Sequence, residues 1–217
     1  AVRPSSATIA APAGWTLVRR TDNAGPTDSN SLAVYSRVAG ASEPSNYAWT
    51  FSASTGAAGG IQAYFNVDTA SPIEVENGAA TVSALTHTAP SITTTVNGAM
   101  IVAHFTKSGA GTWTPPPAGG GMPVFTESFD VTVGAGGAGQ SLEGARAVQA
   151  AAGATGAKTA TASANADAGN THILALRPAL RLPVPAGAAP NDLLLAAVAV
   201  RPSSATITAP AGWTLVR

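Results

Sequence analysis

The stretch SLAVYSRV, residues 31–38, places Leu32, Val34 and Val38 on one side of an extended chain and Ala33, Tyr35 and Arg37 on the other. Side chains of a β-strand alternate between faces with a period of two, so the stretch reads as a strand with one covered face. Upstream, TLVRR (16–20) has strand character and runs into TDNAGPTDSNS, which is turn chemistry throughout. Downstream, NYAWTFSA (46–53) aligns Tyr47, Trp49 and Phe51, and GIQAYFNV (60–67) aligns Ile61, Ala63, Phe65 and Val67 opposite Gln62, Tyr64 and Asn66. The pattern continues in ATVSALTH (80–87), SITTTV (91–96), AMIVAHF (99–105), PVFTESFDVTV (123–133), SLEGARAVQAA (141–151), AKTATASA (157–164) and THILALRP (171–178). Short strands between Gly, Pro, Asn and Asp clusters predict an all-β fold, an antiparallel β-sandwich or barrel of about ten strands. Two successive five-strand sandwiches are the other architecture this spacing allows. The Ala-rich residues 142–152 have the propensity of a short helix. They are read as strand because both halves of the chain share an order of landmarks, in which 142–150 answers to 31–38.

The two ends carry nearly the same words. AVRPSSATIAAPAGWTLVR (1–19) returns as AVRPSSATITAPAGWTLVR (199–217), eighteen of nineteen positions agreeing, with Ala10 facing Thr208. Recurrence at an offset of 198 residues is the mark of a tandem array. The expected organisation is a sandwich repeat over 1–182 that lacks its first strand, a Pro/Gly/Ala linker over 183–190, and the first strands of the next repeat over 191–217. LLLAAVAV (193–200) is the strand that the first copy lacks. Leu193 and Leu195 point one way and Leu194, Val198 and Val200 the other, so both faces need cover. An uncovered sheet edge invites pairing with another chain, and head-to-tail strand completion between repeats is expected.

Composition narrows the partners. Eleven Lys and Arg balance eleven Asp and Glu, and charged residues make up 10% of the chain, against roughly 25% in an ordinary domain. Neutrality of this kind favours association between copies and lacks the basic footprint of a nucleic-acid binder. The longest apolar run, eight residues at 193–200, is too short for a membrane-crossing helix, which needs about 20. With no cysteine, the fold carries neither a disulfide nor a thiolate metal site.

Catalytic motifs are lacking: neither GxSxG nor HExxH occurs, and the chain is read as a non-enzyme. His87, His104 and His172 fall singly in separate strands. The acidic loops offer the best ligand chemistry. Asp22, Asp28 and Asn30, with Asn23 between them, could supply some of the six to eight oxygens that Ca2+ takes, although such residues also cap their own turns. No other cofactor is expected. Tyr47, Trp49 and Phe51 read as a core face, with a sugar-stacking platform as the alternative. Tyr35, Arg37 and Tyr64 alternate with core positions and form the expected exposed contact face, toward a second copy or a glycan. Lys107 and Lys158 are the lysines from which an intramolecular amide cross-link to Asn or Asp would be built.

PAGWTLV (12–18), SLAVYSRVAGASEP followed by YAWTFS, GIQAYFNVDTASPI and the closing ILALRP resemble a repeat module of very large secreted bacterial proteins. The resemblance spans essentially the whole period. It implies a jelly-roll-like sandwich strung in series, at the cell surface or in an extracellular fibre, acting as a structural part or as an adhesin.

Overall fold

The computed structural model describes every residue except 26–27, 137–138, 181, 183, 200–206, 208, 215 and 217. Residues 1–180 form one compact unit and 181–217 another. Among the described residues the elements are β-strands and every strand pairing is antiparallel.

The centre of the first unit is a five-stranded sheet built from β7 (Ile73–Ala84), β9 (Ala99–Ser108), β11 (Thr126–Val133), β12 (Gln140–Gln149) and β14 (Asp167–Leu176), in the order β11-β12-β9-β14-β7. Its three middle strands are buried along almost their whole length, which requires cover on both faces. One face presents Ile101, Ala103 and Phe105 of β9, Ala145 and Ala147 of β12, and Ile173 and Ala175 of β14. Over it lies a three-stranded sheet of β8 (Thr86–Ala89), β10 (Trp113–Thr114) and β13 (Lys158–Ala162). This sheet contributes Ala89, Trp113, Ala160 and Ala162 to the main core, and the loops add Ile92, Met122 and Phe125. Alanines on both layers let the sheets approach closely, while Phe105 and Trp113, with ring centroids 6.2 Å apart, fill the middle.

The opposite face presents Val102, His104, Thr106, Leu142, Gly144, Asn170 and His172. Its cover is a four-stranded sheet of β1 (Val2–Arg3), β3 (Thr16–Asn23), β4 (Asn30–Ser36) and β6 (Gly56–Ala57), ordered β3-β4-β1-β6. Leu32, Ala58 and Leu142 make a small apolar cluster there, with Val34, Phe129 and Val131 against it. A short pair, β2 (Ile9–Ala10) with β5 (Thr50–Phe51), completes the fold.

Register brings Gly144, His104, His172 and Gly78 into one row across four strands. The imidazoles fill the middle of the row and the glycines leave its ends empty. A Cβ on Gly144 would lie 2.6 Å from the Phe129 ring, and one on Gly78 would lie 2.7 Å from Arg19 Cδ.

Several expectations give way. The unit has fourteen short or long strands among the described residues rather than about ten, and the sheet from the first sixty residues covers the sheet from the rest instead of forming its own sandwich. Residues 46–53 hold strand only at Thr50–Phe51, and 60–67 contribute a single bridge, Val67 to Pro178. The expected core residues Ile61 and Phe65 are 58% and 87% exposed, because no neighbouring strand takes up this segment's backbone. Conversely β3 continues through Asp22 to Asn23 into the expected turn, and Ile73–Ala79 belongs to a strand that alternation did not reveal. The Ala-rich 142–149 is strand, as expected.

In the second unit, 192–199 form no strand, and Leu193 and Leu195 are 83% and 80% exposed, with Leu194 and Val198 less so. Val200 lies outside the described residues. The repeated PAGW words adopt one local structure in both copies. Trp15 N–H donates to Pro12 O at 3.3 Å and Trp213 N–H to Pro210 O at 3.2 Å, and Gly14 and Gly212 both have φ of 84°. That left-handed conformation suits glycine.

Candidate functional site

The acidic loop residues serve the fold. Asp22 accepts from Arg20 Nε at 2.8 Å. Asn30 is fully buried, and its Nδ2 donates to Asp28 O (2.7 Å), Ser108 Oγ (3.0 Å) and Ala168 O (3.0 Å). Its Oδ1 accepts from Asn170 Nδ2 at 2.7 Å. Asn30 is therefore a clip between β4 and the central sheet, its amide already committed. Among the described residues no group of three or more His, Asp or Glu is arranged to hold a metal ion.

The clip is one of a line of polar fastenings. Asn23 Nδ2 donates to Thr81 O at 2.8 Å and Gly169 O at 3.2 Å. Arg19 grips Glu76 through Nε at 2.5 Å and Nη2 at 2.9 Å, a fork that holds the Glu76 carboxyl below the usual carboxylate range. His172 Nε2 reaches the same carboxylate at 3.1 Å. His104 and His172 do not stand singly, because cross-strand register stacks them 5.9 Å apart. Burial lowers His104 to about 3 and His172 to about 4, so both are neutral at physiological pH. His87 stands apart, edge-on to Trp113 at 5.4 Å, and burial lowers it to about 4.

Three acids sit where the sequence did not single them out. Glu143 is fully buried beside Phe105 in the cross-strand register, with no hydrogen-bond partner at either oxygen among the described residues. Burial, with Glu127 and Asp130 nearby, raises its carboxyl to about 8. Asp130, its cross-strand neighbour, accepts from Trp113 N–H at 2.7 Å and is also raised, by burial. Asp167 lies 3.9 Å from the buried Lys107 ammonium. Alternation could place Glu143 and Lys107 on core positions, but only the register reveals their partners.

The expected contact face divides. Arg37 is exposed, ion-paired to Glu43 at 3.4 Å and 5.7 Å above the Tyr47 ring. Tyr35 is half-buried with its ring 6.3 Å from Trp49. Tyr64, expected outward, is instead turned inward. It is half-buried, bonded to Gln62 and close to Ser128 and Arg146, and burial pushes its phenol up to about 12. Trp15 is the hub of a half-buried surface cluster, 5.2 Å from both Tyr47 and Trp49 and edge-on to each. Tyr47 and Trp49 thus sit outside the two buried cores, and Phe51 is exposed.

Among the described residues no helix is long and apolar enough to cross a membrane. No protein-family model, curated protein or solved structure matches the chain.

Proposed function

We propose that this chain is a structural building block of an extracellular bacterial filament or surface protein, without catalysis, assembled head-to-tail by strand completion between repeats. The observation that carries this reading is the return of residues 1–19 at 199–217. The first copy supplies β1, β2 and the start of β3 to the folded unit, so a second copy duplicates parts for which a neighbouring unit has the matching place. Two features support it. Among the described residues, β4 pairs on its β1 side only at Ser31, while on its other side it pairs with β3 as far as Ser36. The segment offered to such an edge, with Leu193, Leu194, Leu195 and Val198, is apolar and outside any strand. The partner is therefore another copy of the same chain, or the adjacent repeat.

Light scattering across a concentration series tests the reading. The whole chain is expected to grow into head-to-tail oligomers, and a chain ending at Leu180 to stay monomeric. A whole chain that is monomeric throughout, or a shortened chain that associates equally, would overturn it.

A binding role has one observation in its favour, the half-buried cluster of Trp15, Tyr35, Tyr47 and Trp49 at the surface. Aromatic faces of this kind stack on sugar rings. Selective glycan-array hits abolished by Trp49→Ala would favour an adhesin.

A further inference from the structure

Lys107 closes the apolar side of β9, two residues beyond Phe105, and its side chain is completely buried. A lysine in such a place normally finds a hydrogen-bonded carboxylate, because an unpaired buried charge is costly. Here a carboxylate oxygen, Asp167 Oδ2, is 3.9 Å from Nζ and, although it too is buried, has no hydrogen-bond partner among the described residues. Lys107 Nζ is left with two long contacts to backbone carbonyls, Ser108 O at 3.3 Å and Gly109 O at 3.5 Å. The pair is too close to be incidental and too far apart to be a good buried ion pair.

The surrounding chain is shaped to hold the two groups there. Lys107 lies opposite Gly169 in the β9–β14 ladder, and the β14–β7 register slips between Asp167 and Gly169. A Cβ on Gly109 would lie 2.2 Å from Asp167 Oδ2, and one on Gly169 would lie 2.9 Å from the His87 ring. Gly109 thus leaves the space that the Asp167 carboxylate fills. The other lysine differs, since Lys158 Nζ donates to Gly119 O at 2.7 Å and has no carboxylate within ion-pair distance among the described residues.

We propose that Lys107 and Asp167 are the site of an intramolecular amide cross-link joining β9 to β14. The Nζ lone pair attacks Asp167 Cγ. A C–N bond forms, the C–OH bond breaks, and one N–H proton leaves with the hydroxyl as water. Nothing is oxidised or reduced. The reactants are a neutral amine and a neutral acid, and burial favours both forms, lowering Lys107 and raising Asp167. Asp28 adds to the upward push on Asp167, while Lys107 and Arg3 act in the opposite sense. Fixing amine and acid in one packed site supplies the proximity that makes such condensations fast, with effective molarities of about 10⁵–10⁸ M in well-oriented cases. The proposal stands independently of head-to-tail assembly.

Intact-mass spectrometry of the whole denatured chain is the test. The expected mass is lower than the sequence mass by one water, with peptide mapping placing the bond between the segments that hold Lys107 and Asp167. Lys107→Arg and Asp167→Ala should each restore the full sequence mass, and Asp167→Asn should lose one ammonia instead of one water. A wild-type chain of full sequence mass after prolonged incubation would overturn the proposal, as would a deficit that persists in Lys107→Arg. The wild-type measurement decides even if a variant fails to fold.

Discussion

On one face of the central sheet, Ile101, Ala103 and Phe105 meet Trp113, Ala160 and Ala162. On the other, Asn170, His172 and Glu76 meet Asn30 and Arg19. The same strands supply both interfaces from alternate residues, yet one is held by area removed from water and the other by directed hydrogen bonds such as those of Asn30, Asn170 and Glu76. Apolar packing tolerates small displacements, because each contact is weak and undirected. A hydrogen-bonded seam does not, since a shift of one residue would break the directed bonds of Asn30 and Asn170. The contrast teaches that the apolar layer supplies most of the stabilisation and the polar layer fixes the register of the four-stranded sheet.

The largest effect should come from the apolar side. Phe105→Ala removes a fully buried ring and should cost about 3–5 kcal/mol by urea denaturation. A loss under about 1 kcal/mol would mean that the alanine-rich layers close over the gap, and the contrast would fail.

Each face also carries groups that titrate against its character, with opposite signs. Glu143, on the apolar face, is raised to about 8. The unfolded chain gives up this proton first, so stability falls as pH rises from the ordinary carboxyl value to about 8, by up to about 1.4 kcal/mol per pH unit. Glu143→Gln should therefore stabilise the chain at pH 7 and leave it unchanged near pH 4. His104 and His172, on the polar face, are lowered to about 3 and about 4. They contribute stability above the ordinary imidazole value that is lost as pH falls toward 4, and His172→Gln should flatten that acid limb. Thermal melts from pH 4 to 9 would separate the two slopes.

Smaller losses belong to single fastenings. Asn170→Ala leaves Asn30 Oδ1 without its donor and should cost about 1–3 kcal/mol, with hydrogen exchange in β4 rising more than in β8. Arg19→Met breaks an ion pair that is about a third exposed on the arginine side and should cost at most about 1 kcal/mol, less at high salt.

The strands that carry the apolar layer were legible in the sequence. In AMIVAHF and THILALRP the residues of the main apolar core recur at every second position, and both segments find partners on two sides. GIQAYFNV alternates as well, but alternation says only which side chains share a face if the chain is extended. It says nothing of whether another strand is present to take the backbone N–H and C=O groups, and there Ile61 and Phe65 point to water. The polar seam was not legible either. Asn30 meets Asn170 across a sequence separation of 140 residues, and no local pattern distinguishes a turn asparagine from a buried clip. The Lys107–Asp167 pair had half a signal, a lysine at a core phase of a strand, and lacked its partner until the register was known.

The row of Gly144, His104, His172 and Gly78 sets a limit on how this molecule can drift. Mutational tolerance is usually thought to be lowest where side chains are largest. Along this row the intolerant positions are the two bare ones, where a single added methyl group would strike Phe129 or Arg19 and prise apart two layers that the imidazoles between them were sized to separate.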